Sequence, residues 1–449
     1  IPDMLLQYGY RDRLYLVNPR EKEIKGLPVY ARLTDIPAPI DLVIIVVPAT
    51  QVPQVIADCV ALSIPAVVLE SAGFGETGPE GARLEDELRK LLHGAETRVI
   101  GPNCLGLINP HESFSTTEVD LDALRPGNIG VVAQSGAFGN LLADWAPTQD
   151  LFFSKLVTIG NRLDVDETDC LLYFADDEKT DVIVLYLEGV KDGPRFYDAV
   201  RKVSRRKPIL VYKGGRSAAG RKAIASHTGS LAGEDRLYEG LFRQSGVIRA
   251  TSLQELFDMA RVFSREPLMA GRRVCVVTGS GSLGVMMADV CTAWGLQFPE
   301  LTPKTVQAVR EIAPAWMNVK NPLDVGPSGI YAEAVKAAIE DPQIDGIIAV
   351  PVLPEMVMHK FAGVGIDVRS RYGDPEEWRR IAPNKPIVLF TVGGPSWLDA
   401  IHSIYGPTVS LVSSPETAAR SLAALYRYSR FRARSAEHHR KTSITASAM

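Results

Sequence analysis

The sequence predicts an α/β protein built from three consecutive doubly wound units. Three observations point there. Short Val/Ile/Leu runs lack polar alternation and end in turn residues, as in parallel strands covered on both faces. Helical patterns lie between them, giving the strand–helix–strand rhythm of such sheets. Two of the units open alike, with an apolar strand, a Gly/Ser-rich turn and a helix (129–145 and 273–294).

Taken in order, residues 14–18, 42–47, 66–69 and 98–100 read as strands, with helical patterns at 51–62 and 80–93. Residues 1–8 read as the end of a helix whose preceding strand, with its Gly-rich turn, is absent. This unit spans 1–123. A Pro/Gly break near 123–128 opens the second unit, 124–266. It has strands at 129–133, 182–187 and 208–212, a helix at 194–204, and a polar loop at 223–233. Helices follow at 234–245 and 253–263. The third unit, 267–431, begins after the break at 265–271, with strands at 273–278, 346–350 and 386–391 and a closing helix at 415–428. Residues 432–449, basic and then Ser/Thr/Ala-rich, read as a disordered tail.

The totals narrow the function. A chain of 449 residues holds two to four domains at about 150 residues each. Net charge is −4, so no bulk attraction to nucleic acid is expected. No apolar run reaches the roughly 20 residues of a membrane span. Five scattered cysteines without a CxxC pair suggest reduced thiols and a cytoplasmic location.

The candidate chemistry centres on His227. It lies in Ala-Ile-Ala-Ser-His-Thr-Gly-Ser-Leu-Ala-Gly (223–233), among small hydroxyl residues and glycines that leave the ring approachable. No second His or Cys stands at metal-ligand spacing, so no metal is assigned to this chain. The reading is a nucleophile that carries a phosphoryl group. Glu188 ends the apolar strand 182–187, at the sheet edge where ligands bind, and is placed to hold the imidazole in one tautomer. The strand-to-helix turns at Ser135-Gly136 and Gly281-Ser282 offer helix N-termini to a phosphate. Gly279-x-Gly281-x-x-Gly284, with Glu300 further on, keeps a dinucleotide site open. Gly101-Pro-Asn-Cys-Leu-Gly106 is a turn whose Asn103 suits ligand amides. Cys104 has no neighbouring base and reads as a small packing residue.

On Val17-Asn18-Pro19-Arg20, Ser71-Ala-Gly-Phe74, Gly101-Pro-Asn-Cys-Leu-Gly106, Gln134-Ser-Gly136, Glu188-Gly189, Ser226-His-Thr-Gly-Ser-Leu-Ala-Gly233 and Asn321-Pro-Leu-Asp324, the chain resembles the NDP-forming acyl-CoA synthetases. These include ADP-forming acetate–CoA ligases and, more distantly, succinyl-CoA synthetase. The resemblance runs from about Tyr15 to Tyr428 and implies an alpha-type subunit. Its Rossmann-like CoA-binding domain would be followed by two flavodoxin-like domains. It implies a phosphorylated His227 steadied by Glu188, with phosphate at Ser135, Gly136, Gly281 and Ser282. CoA or acyl-CoA would lie along Asn18, Pro19, Arg20, Glu70, Ser71, Asn103 and Cys104. ADP/ATP and Mg²⁺ would sit on a separate ATP-grasp beta subunit, in an assembly such as α2β2. Ala133 stands where that family often has Ser, and Thr278-Gly-Ser-Gly-Ser-Leu-Gly284 replaces its usual Asn-Ala-Gly-Gly pattern. Two other readings stay open: a CoA-sensing regulatory module of degenerate synthetase fold, and a nicotinamide-dependent oxidoreductase.

Overall fold

The computed structural model describes all residues except 121, 123, 229–232, 365–370, 407, 448 and 449. The side chains of 225–228, 362 and 436–447 also fall outside it. The chain divides into two units, Ile1–Arg249 and Ala250–Met449.

In the first unit a three-stranded parallel sheet is formed by Leu42–Ile45, Ala66–Leu69 and Arg98–Ile100, side by side in that order. Its helices, Val52–Ala61 and Pro79–Leu92, bury Ile56, Cys59 and Leu88 against Val67, Leu69 and Val99. A smaller sheet pairs Leu16–Val17 with Leu27–Tyr30. The helix at the chain start is Pro2–Gln7.

The same unit holds a seven-stranded sheet. Its order is Ile248–Ala250, Ile209–Lys213, Val182–Leu187, Ile129–Ala133, Phe153–Thr158, Leu107–Asn109, Phe114–Ser115. Ile129–Ala133 is central and buried throughout, which is why its five residues carry no polar alternation. The last two strands pair antiparallel with Phe153–Thr158 and with each other. Residues 107–115, within the sequence-predicted first unit, therefore pair into this second sheet. The apolar strand Phe153–Thr158 was not anticipated, because Ser154 and Lys155 interrupt it. Counted from Ile129–Ala133, the five remaining strands run 2-1-3-4-5, the flavodoxin-like doubly wound order.

The second unit carries a five-stranded parallel sheet: Leu323–Asp324, Val274–Thr278, Gly346–Val350, Ile387–Phe390, Ser410–Val412. This order is again 2-1-3-4-5. The helix Leu253–Arg265, at the end of the sequence-predicted second unit, packs in this compact unit. Asp258 on that helix accepts Ser413 N–H, and Glu266 just beyond it accepts the N–H groups of Ile387 and Ser410. The final helix runs Pro415–Ser447, through the stretch expected to be disordered. Residues 416–447 contain neither Gly nor Pro and are rich in Ala and Arg, which favours a helix.

Candidate active site

In a sheet of order 2-1-3-4-5, ligands bind beyond the carboxyl ends of strands 1 and 3, where the connections leave in opposite directions. In the seven-stranded sheet these are Ile129–Ala133 and Val182–Leu187. The residues that follow them are Gln134-Ser135 and Glu188-Gly189. Two of the sequence-predicted groups are thus neighbours across one strand pair, in which Tyr186 registers with Ala133.

Glu188 is 3% exposed. The Tyr186 hydroxyl donates to its Oε1 at 3.3 Å. Burial, followed by the Glu188 charge, pushes the Tyr186 hydroxyl pKa upward, so it remains a donor. Tyr186 stacks between Phe138 and Tyr212, with ring centroids 4.0 and 6.0 Å away. Ser135 is the N-cap of the helix Gly136–Trp145 and accepts from Phe138 N–H at 3.4 Å. Its hydroxyl is therefore engaged in capping, while the free end of the helix keeps its partial positive charge.

The carboxyl edge of the first sheet meets this helix end. A Cβ on Gly136 would lie 3.0 Å from the Leu105 backbone nitrogen, so only glycine lets the 104–105 backbone pass this closely. Ser71 joins the loops: Asn103 N–H donates to Ser71 O at 3.0 Å, and Ser71 Oγ donates to Val47 O at 2.5 Å. Asn103 Nδ2 reaches Asn161 Oδ1 at 3.4 Å, and Asn161 donates onward to Glu76. Glu70 packs beside Gly106 and Thr116. Its Oε1 is buried with no hydrogen-bond partner, and burial raises its pKa to about 7. Cys104 is buried, donates to Leu69 O, and has a pKa pushed up to about 12 by burial. The thiol packs in the interior, where burial disfavours its thiolate. Asn18 keeps to its own turn, accepting from Arg20 N–H at 2.9 Å and donating to Tyr30 O. Pro19 and Arg20 are exposed.

His227 lies in the helix Ala218–Thr228, where a loop was expected. Ala218, Ala219, Ala223 and Ala225 are strong helix formers and account for the difference. The imidazole and residues 229–232 lie outside the described set. The helix follows Ile209–Lys213, the strand next to Val182–Leu187, and packs on the turn Gly75–Thr77.

In the second unit, Gly281 and Ser282 open the helix Gly281–Ala293 and are exposed. A Cβ on Gly281 would lie 2.7 Å from Asp324 Oδ2, so a carboxylate already stands beside this helix end. Glu300 is exposed and belongs to no strand, which removes the acidic partner from the dinucleotide reading. Among the described residues, no group of three His, Cys, Asp or Glu side chains is arranged to hold a metal ion. No described helix is long and apolar enough to cross a membrane.

Residues 1–110 match a CoA-binding domain, 126–263 a succinyl-CoA ligase-like flavodoxin domain, and 274–437 a ligase-CoA domain. The alpha subunit of an ADP-forming acetate–CoA ligase I of Pyrococcus furiosus is 36% identical over 440 residues, covering 96% of this chain and 93% of that one. The alpha subunit of its ligase II is 38% identical, covering 85% and 82%. The chain belongs to the ADP-forming acyl-CoA synthetase family. A solved structure from Ca. Korarchaeum cryptofilum, a dinucleotide-forming acetyl-coenzyme A synthetase 1 in complex with phosphate and ADP, is 32% identical. It superposes with a TM-score of 0.85 over 96% of this chain and 92% of that one.

Sequence reasoning named Gln134 only as part of an anion-binding turn and missed Arg162 and Lys213; the three are 2%, 4% and 1% exposed. Gln134 and Lys213 each close an otherwise apolar strand, a signal that was available. Arg162, at φ +60°, gave none.

Proposed function

We propose that the chain is the alpha-type subunit of an NDP-forming acyl-CoA synthetase. It interconverts acyl-CoA, phosphate and ADP with acid, CoA and ATP. A phosphate oxygen attacks the thioester carbonyl, the C–S bond breaks, and CoA leaves as the thiol after taking a proton. A His227 ring nitrogen then attacks phosphorus in the acyl phosphate, and the P–O bond to the acyl group breaks, releasing the carboxylate. The terminal oxygen of ADP finally attacks that phosphorus, and the P–N bond breaks.

Each part of the chain takes one task in this reading. Ser71, Asn103 and the turn around Glu70, with Asn18 to Arg20, receive CoA and its thioester. The free N–H groups of the helix opening at Ser135-Gly136 steady the phosphate, and those at Gly281-Ser282 offer a second anion-binding end. Glu188 accepts from the ring nitrogen of His227 that is not phosphorylated, fixing its tautomer and favouring its charged form. Splitting the transfer through a covalent phosphohistidine replaces one hard step with two easier ones. ADP and Mg²⁺ belong to a separate ATP-grasp partner in the cytoplasm, a reading supported by the similar-length relatives being named alpha subunits. One further relative, of Methanocaldococcus jannaschii, is long enough that this chain spans only 59% of it.

The carrying observation is the buried Glu188 carboxylate at the switch point of its sheet, beside the Ser135 helix end. The test is phosphate labelling. The chain assembled with its partner, given acyl-CoA and radiolabelled phosphate, gains one acid-labile, base-stable phosphate, and His227→Ala gains none. Acyl-CoA binding without any such label would instead favour a regulatory CoA sensor.

A further inference from the structure

The strand Val182–Leu187 ends just before Glu188, so the backbone of Glu188 and Gly189 leaves the sheet ladder while still buried. Buried backbone groups need partners, and here side chains supply all four. Gln134 Oε1 accepts both Glu188 N–H and Gly189 N–H, at 2.5 and 3.1 Å. Lys213 Nζ donates to Glu188 O at 2.7 Å. Gly189 O accepts from Gln134 Nε2 at 2.7 Å and from Arg162 Nη1 at 2.9 Å. The three side chains are themselves tied down. Gln134 and Arg162 both donate to Glu167, at 3.1 and 3.2 Å. Lys213 also donates to Gly214 O at 2.6 Å and lies 4.5 Å from the centre of the Tyr238 ring.

We propose that Gln134, Arg162 and Lys213 are positioning residues that fix the direction of the Glu188 carboxylate through its main chain. The proposal rests on the assignment of Glu188 as the partner of phosphorylated His227. The physical reason is reciprocal. Rotating the Glu188–Gly189 turn would break both bonds to Gln134 Oε1 and take one acceptor each from Gln134 Nε2, the Arg162 guanidinium and the Lys213 ammonium, all buried, which is costly. The turn is therefore held to one conformation before phosphate arrives, which is what preorganised catalysis needs. Lys213 also links the turn to Gly214, two residues before Arg216, on the segment that leads into the His227 helix.

The experiment uses the full chain with its partner subunit. Gln134→Met and Lys213→Met are each made in the wild type and in a Glu188→Ala background. A carboxylate misplaced by about 1 Å lowers the rate on the order of 10²-fold. Each substitution is thus expected to slow His227 labelling by about that factor in the wild type, with CoA affinity unchanged. In the Glu188→Ala background the same substitutions change the rate by less than about threefold, because the group they aim is gone. Equal losses in both backgrounds, or no loss in the wild type, overturn the proposal. Amide hydrogen exchange at Glu188 and Gly189 gives a readout independent of turnover: protected in the wild type and fast in Gln134→Met. If Gln134→Met fails to bind CoA, Gln134→Glu, which keeps the acceptor oxygen, replaces it and is expected to restore protection. A wild type that protects these amides but never labels His227 overturns the proposed activity and the catalytic role of the clamp, while leaving the clamp itself demonstrated.

Discussion

Replacing Gly160 by alanine tests whether the Gly101–Gly106 turn and the loop after Phe153–Thr158 are one packed body. Gly160 has φ +52°, and a Cβ there would lie 2.1 Å from Pro102 O and 2.5 Å from Asn103 O. The left-handed backbone alone costs alanine about 1–2 kcal/mol. The carbonyls also have to retreat by about 1 Å to reach ordinary contact distance, and Pro102 O then loses the N–H of Asn161, which it accepts at 2.9 Å. One such bond is worth about 1 kcal/mol. The sum is about 2–3 kcal/mol, or roughly 4–12 °C in Tm for a unit of this size. Gly94 provides the control: its φ is +78°, but nothing lies within 4 Å of its Cβ position, so Gly94→Ala pays only the backbone cost. Because Asn103 moves with the displaced carbonyls, Gly160→Ala is further expected to weaken CoA binding about tenfold in equilibrium titration. Equal melting temperatures for the two variants, or unchanged CoA affinity in a Gly160→Ala chain that melts early, would refute the reasoning.

Further expectations concern charge. Burial raises the Glu70 carboxyl pKa to about 7, above its unfolded value of about 4.3. The folded state then holds more protons than the unfolded one between these values, so the stability Glu70 contributes is full below about pH 4 and lost as pH rises through 7. Glu70→Gln removes this dependence, and denaturant melts should show it gaining steadily on the wild type as pH rises from 4.5 to 8. All five cysteines are buried, and Cys59, Cys104 and Cys291 are pushed up to about 12. Titration with a disulfide reagent at pH 8 should therefore find no fast thiol in the native chain and five after unfolding. Arg162 and Glu167 form an ion pair 3% and 1% exposed, so Arg162→Met should cost 3–5 kcal/mol in denaturant melts by leaving a buried carboxylate unpaired. A loss below 1 kcal/mol would show that water reaches Glu167.

What the sequence made legible followed from residue types whose meaning is local. Buried parallel strands are uninterrupted Val/Ile runs, so Ile129–Ala133, Val182–Leu187 and Val274–Thr278 stood out. The strand Phe153–Thr158 did not, because its Lys155 is a surface-compatible residue whose ammonium pairs with Asp177 at 2.8 Å. The ties of the helix Leu253–Arg265 to the last sheet were hidden for a similar reason. Asp258 and Glu266 read as exposed helix charges, yet they serve the backbone of strands more than a hundred residues away. Ser135 and Glu188 were found because a polar residue after an apolar strand is visible in one dimension. Gln134 was read only as part of the Ser135 turn, because its role lies in bonds to residues 54 and 55 positions further on.

The two sheets of order 2-1-3-4-5 separate fold from equipment. Both place a Gly/Ser turn after strand 1, and both open a helix there. After Ala133 comes Gln134, whose amide reaches across to the end of strand 3, where Leu187 is followed by a carboxylate. After Thr278 comes Gly279, and strand 3 ends at Val350 followed by Pro351, which has neither a side-chain acid nor a backbone N–H to offer. Thr278 Oγ1 instead closes the turn on itself, accepting from Ser280 N–H at 3.1 Å, while Asp324 stands by Gly281. The same topology thus yields one switch point built around a fixed buried carboxylate and another without it. This asymmetry, more than the shared glycines, is why the phosphohistidine chemistry is assigned to the first of the two sheets.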